Sequence, residues 1–131
     1  MLVRDHMSSP AVTIRTDADY KAALKVMQER SMHHLPVVDK GGQLVGIAAE
    51  RDLLLAAMHY MQSTVEVGDV MHRGAITATP DMPIVEAAEL MMTNKIGGLP
   101  VVDGGRQLLG IITETDILKV LAAALRRARN N

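Results

Sequence analysis

Leu35-Pro36-Val37-Val38-Asp39 returns 64 positions later as Leu99-Pro100-Val101-Val102-Asp103. At that offset Val3, Asp5, Met7, Ala11, Thr13, Asp17, Ala23 and Met27 match Val67, Asp69, Met71, Ala75, Thr77, Asp81, Ala87 and Met91. Gly41, Gln43, Leu44, Gly46, Ile47, Glu50, Asp52 and Leu54 likewise match Gly105, Gln107, Leu108, Gly110, Ile111, Glu114, Asp116 and Leu118. No gap is needed from Val3 to Leu54, and a register held that long marks a duplicated unit. Every local motif is therefore read twice.

The repeat divides the 131 residues into halves, 1–62 and 63–131. A chain of about 60 residues buries only ~60% of its unfolded surface and is marginal alone. The two halves are thus expected to share one core as a single pseudo-symmetric domain. Hydrophobic residues make up 48% of the chain, but there is no Phe or Trp, and Tyr20 and Tyr60 are the only aromatic residues. The core must be aliphatic, with ten Met, and a bound base would be gripped by aliphatic side chains and backbone.

The absence of Cys excludes disulfides, thiolate metal sites and a Cys nucleophile. Residues 1–15 lack a signal-peptide apolar run, and no stretch approaches the ~18 apolar residues of a membrane span. A cytoplasmic protein with no membrane partner is expected. A net charge of −1 gives no footprint for nucleic acid. Arg126, Arg127 and Arg129 read as cations complementing the end of a helix dipole.

Each half reads β-α-β-β-α, an α+β pattern. A short β-rich run (Ala11–Ile14; Ala75–Thr79) precedes a helix, capped by Thr16 or Asp17 in the first copy and opened by Pro80-Asp81-Met82-Pro83 in the second. Tyr20, Ala23, Leu24 and Met27, then Ile84, Ala87, Ala88 and Met91, form one apolar stripe per helix. Two short strands follow, joined by turns at Gly41-Gly42 and Gly104-Gly105. The last helix of each half runs from about Glu50 to Met61 and from about Glu114 to Arg129.

The junction between the last strand and the last helix is the most informative site. In the second half it reads Gly110-Ile111-Ile112-Thr113-Glu114-Thr115-Asp116. A helix N-terminus suits a phosphate. Thr113 and Thr115 offer hydroxyl donors, and Asp116 can accept both hydrogens of a ribose diol. The same Thr-x-x-Asp also reads as a capping box that serves only the helix. In the first half Ala49 and Arg51 stand where Thr113 and Thr115 do, while Asp52 stays.

Both halves resemble CBS domains, the repeat named after cystathionine β-synthase, and a tandem pair of these is a Bateman module. The resemblance spans about Val3–Leu125 and rests on Leu-Pro-Val-Val-Asp, the Gly-rich turn and the Gly-hydrophobic-x-Thr-x-x-Asp pattern. It implies two repeats packed sheet to sheet, with two clefts that bind adenosine ligands: AMP, ADP, ATP or sometimes S-adenosylmethionine. It also implies a stand-alone regulatory module acting on an unidentified effector protein. One cleft would set Thr113, Thr115 and Asp116 against Pro10, Val12, Met32, His33 and His34. The second, weaker cleft would hold Arg51 and Asp52 with Ile76, Gly97 and Gly98. The competing reading is a structural dimer whose clefts hold no nucleotide.

Adjacent His33 and His34 point opposite ways in an extended segment, and His6, His59 and His72 are scattered, so no metal site is expected. None of the four serines sits in a nucleophile elbow, and no Walker loop appears. The chain is therefore not expected to be an enzyme or to require a cofactor. Leu53-Leu54-Leu55-Ala56-Ala57-Met58 is apolar on every helical face, and Ile117, Leu118, Val120, Leu121 and Leu125 repeat this. A homodimer built through these helices follows.

Overall fold

The computed structural model describes residues 1–59 and 64–130. Tyr60, Met61 and the expected boundary between residues 62 and 63 lie outside the described residues.

The apolar stripe at Tyr20, Ala23 and Met27 folds as helix α1, Tyr20–Arg30, with those three side chains buried. Asp19, not Thr16 or Asp17, caps it, its carboxylate accepting from the Lys21 amide at 2.8 Å. The helix starts later than expected, so the nearer carboxylate takes the orphan amide. Strand β1 (Ile14–Arg15) runs parallel to β2 (His34–Val38), Ile14 opposite Val37. Strand β3 (Leu44–Ala49) is antiparallel to β2 and sets His34 opposite Ala49. Helix α2 (Glu50–His59) follows without a break.

The second repeat copies this order with α3 (Ile84–Asn94), β4 (Gly98–Val102), β5 (Leu108–Thr113) and α4 (Glu114–Arg129). Ala78 makes a single parallel bridge to Val101, the same register as Ile14 with Val37. The leading strands expected at Ala11–Ile14 and Ala75–Thr79 thus shrink to two residues and one bridge, because the chain lies along its neighbour only there. Gly42 has φ +82°, but the matching position in the second turn is Arg106 at φ +64°, beyond the Gly104-Gly105 pair. The left-handed position therefore falls on a glycine in one copy only.

Neither compact unit is a continuous half. One comprises Val12–Ala75 with Gly105–Leu108; the other comprises Met1–Ala11, Ile76–Gly104 and Leu109–Asn131. The first unit's core joins Tyr20, Ala23, Met27, Leu35, Val37, Ala48 and Leu53 to Val67. The second unit's core joins Ala78, Ile84, Ala87, Met91, Leu99, Val101 and Ile112 to Val3. These are two cores where the sequence suggested one shared core. The lead-in to each repeat packs with the other repeat: the Val67 amide donates to the Ala18 carbonyl at 2.8 Å, and the Val3 amide to the Met82 carbonyl at 2.8 Å.

Candidate functional site

Gly110 carries no side chain because a Cβ there would strike the Ser8 carbonyl, and Gly46 is pressed by the His72 carbonyl in the same way. Ile111 and Ser8 exchange two backbone hydrogen bonds, each 2.9 Å, and Ile47 and His72 do the same at 2.9 and 2.8 Å. Each repeat's final strand is thus pinned beside a crossing segment just before its helix begins. This places Ser8 near the Thr113 turn and His72 near the Ala49 turn.

At the second turn the Thr113 hydroxyl caps α4, and Asp116 reaches back. Asp116 Oδ2 accepts from the Thr113 amide at 2.8 Å and from Thr113 Oγ1 at 3.0 Å. The capping box is therefore real, and it also holds the carboxylate in one orientation. Among the described residues no hydrogen bond reaches Asp116 Oδ1, and Thr115 is exposed.

The first turn is built differently. Ala49 offers no oxygen, and Asp52 Oδ2 is bonded to His72 Nε2 at 2.9 Å. His33 Nδ1 lies 3.2 Å from Glu50 Oε1, while the His33 carbonyl accepts from the Glu50 amide at 2.8 Å. Its counterpart, the Gly97 carbonyl, accepts from the Glu114 amide at 3.0 Å. Both His–carboxylate contacts are exposed on the imidazole side and are weak stabilisers.

Of the residues singled out from sequence, Thr113, Thr115, Asp116, Pro10, Ile76, Gly97 and Gly98 belong to one unit. Val12, Met32, His33, His34, Arg51 and Asp52 belong to the other. Within their units, Gly98 lies against Thr113, and His33 lies against Glu50. His72, by sequence one of several scattered histidines, is the residue that meets Asp52. The signal that could have found it was the repeat offset, which aligns His72 with Ser8.

Two CBS domains are matched by the family model, over residues 3–59 and 67–123. The chain belongs to the CBS-domain family. A CBS domain-containing protein of Dictyostelium discoideum is 37% identical, over 95% of this chain and 94% of that protein. A homoserine O-acetyltransferase of Methanococcoides burtonii is 40% identical over 91% of this chain, which spans only 24% of that enzyme. The CBS domain pair of protein MJ0100, solved with 5′-methylthioadenosine and S-adenosyl-L-methionine, superposes with a TM-score of 0.81 at 34% identity, covering 95% of this chain and 98% of that one. CBSX2 in complex with AMP superposes at 0.83 with 27% identity, covering 97% and 98%.

This CBS pair has α+β architecture in both repeats. Among the described residues no helix is long and apolar enough to cross a membrane, and no group of three His, Asp or Glu is arranged to hold a metal ion.

Proposed function

We propose that this CBS pair is a regulatory ligand-sensing module that binds an adenosine nucleotide (AMP, ADP or ATP), acts in the cytoplasm and passes its occupancy to an effector protein. The observation that carries this reading is the Asp116 turn. A carboxylate is held by Thr113 with one oxygen uncommitted, beside the exposed Thr115 hydroxyl and the amide end of a 16-residue helix. That set matches the needs of a ribose diol and a phosphate. Its support from relatives is that CBSX2 was solved with AMP and the MJ0100 pair with two other adenosine ligands. The latter complex also favours a second reading, in which S-adenosylmethionine is the ligand.

The test is titration calorimetry with AMP, ATP and S-adenosylmethionine. Replacing Asp116 by Ala removes charge-assisted bonds worth about 1.5–3 kcal/mol each, a loss of roughly ten- to a hundredfold in affinity. A greater loss from Asp52→Ala with AMP overturns Asp116 as the principal site. His33→Ala and His34→Ala in the same titration test the part that the family resemblance gives them. Absence of binding by all three ligands favours a structural dimer with empty clefts.

A homodimer is part of the proposal. Leu54, Leu55 and Met58 on α2 are 47, 45 and 74% exposed, and Leu118, Leu121 and Leu125 on α4 are 61, 50 and 61% exposed. Leu54 and Leu118 occupy the same place in the repeat. Apolar stripes of this kind mark interaction surfaces, and a second copy presents the same stripes in return.

A further inference from the structure

The helical faces of the two repeats differ in charge. Between α1 and α2 a groove is lined by Lys21 and Lys25 with Tyr20, Leu24, Gln28 and Ala57. Between α3 and α4 the groove is lined by Ala88, Met91, Met92, Ile117 and Leu118, with Glu114 the charged member. The repeat offset matches Lys21 with Val85, Lys25 with Glu89 and Gln28 with Met92. One place in the repeat thus carries opposite charge in its two copies, at Lys25 and Glu89.

The contrast runs along both helices. Within α1 stand Lys21, Lys25 and Arg30 against Glu29; within α3 stand Glu86 and Glu89 with no cation, Lys95 following just past its end. All of these are exposed. Lys25 lies 4.0 Å from Glu29, an exposed pair of little strength. Glu86 and Glu89 make no ion pair among the described residues. Val85 and Met92, 67 and 70% exposed, lie four residues before and three after Glu89, on the same side of α3. One unit therefore presents a basic face and the other an acidic, apolar one.

Two copies meeting with like repeats together set Lys21 and Lys25 against themselves and Glu89 against itself. Like charges brought together in an interface are costly and select against that pairing. Unlike repeats bring lysine to glutamate and leave the leucine stripes to cover one another.

We propose that the second copy docks head to tail: its α3–α4 face covers the α1–α2 face of the first, Lys21 and Lys25 meeting Glu86 and Glu89, and two-fold symmetry returns the same contact. This rests on the homodimer reading above and adds which face meets which. The helix that starts at the Asp116 turn then packs on the first repeat of the second copy.

The experiment is sedimentation of the full chain over a dilution series, beside Lys21→Glu/Lys25→Glu and a quadruple variant that adds Glu86→Lys/Glu89→Lys. All four side chains are exposed, so the variants are expected to fold, and melting temperatures verify this. The double variant should dimerise about tenfold or more weakly, and the quadruple variant should recover to within about threefold of the unaltered chain. The loss should shrink at high salt, because exposed charges are screened. The chain has no Cys, so Lys25→Cys chains mixed with Glu89→Cys chains and treated with a bifunctional maleimide should cross-link unlike chains. Unchanged dimerisation of the double variant, no recovery in the quadruple variant, or cross-linking of Lys25→Cys chains to one another overturns the head-to-tail contact and leaves the dimer standing. A single-chain mass for the unaltered protein overturns both.

Discussion

Oδ2 of Asp116 accepts from both the amide and the hydroxyl of Thr113, at 2.8 and 3.0 Å. One carboxylate thereby satisfies the start of α4 and is aimed by it. In the first repeat the equivalent Asp52 faces Ala49 in sequence register and bonds His72 instead. On the proposed reading the carboxylate that meets the ligand also caps its helix at Asp116, whereas Asp52 bonds a residue outside its helix.

Thr113→Ala should therefore destabilise the second repeat by about 1 kcal/mol, the usual loss for a removed N-cap. Urea unfolding of the variant checks this. An unchanged midpoint would show that the Thr113 cap contributes nothing to stability.

The glycines before the two turns should be the least replaceable. Gly46→Ala and Gly110→Ala each drive a Cβ into a backbone carbonyl, of His72 and Ser8 respectively. Overpacking of this kind costs typically about 1–3 kcal/mol. Gly104→Ala, with nothing within 4 Å of the added Cβ, is the control and should be nearly neutral. Thermal melting of the three variants separates the cases.

The exchanged lead-ins predict where damage will appear. Val3 is fully buried in the core of Ala78, Ile84 and Leu99, and Val67 in that of Tyr20, Met27 and Leu35. Val3→Asp, although near the first repeat in sequence, should expose α3 and β4 to hydrogen exchange. Val67→Asp should expose α1 and β2. The reverse pattern of exchange would refute the assignment of each valine to its core.

Dimerisation through the exposed stripes predicts that Leu54→Glu gives monomer. Light scattering at micromolar concentration should return twice the 14.2 kDa chain mass for the unaltered protein and a single chain mass for the variant. A monomer before substitution sinks the proposal.

Much of this was legible in the residues. Tyr20, Ala23 and Met27 repeat at helical spacing, and all three are buried. Leu35–Val38 and Leu44–Ala48 have the pattern of paired strands and lie within β2 and β3. Thr113 and Asp116 were readable as a capping box because both partners lie within one helical turn. Element edges were less legible: Asp19 rather than Asp17 caps α1, since two carboxylates two residues apart look alike to a sequence pattern. The left-handed backbone at Arg106 carries no sequence signal, because the neighbouring Gly104-Gly105 pair is the stronger turn signal.

The sequence by itself determined the duplication, the order of elements and the apolar face of each helix. These depend on contacts between residues a few positions apart, and periodicity records them. Only the tertiary structure decided which core receives Val3 and which Val67, and that His72 would meet Asp52. Val3 and Val67 occupy the same place in the repeat. Nothing local distinguishes the alternatives, so the choice falls to long-range packing and to the path the chain takes between them.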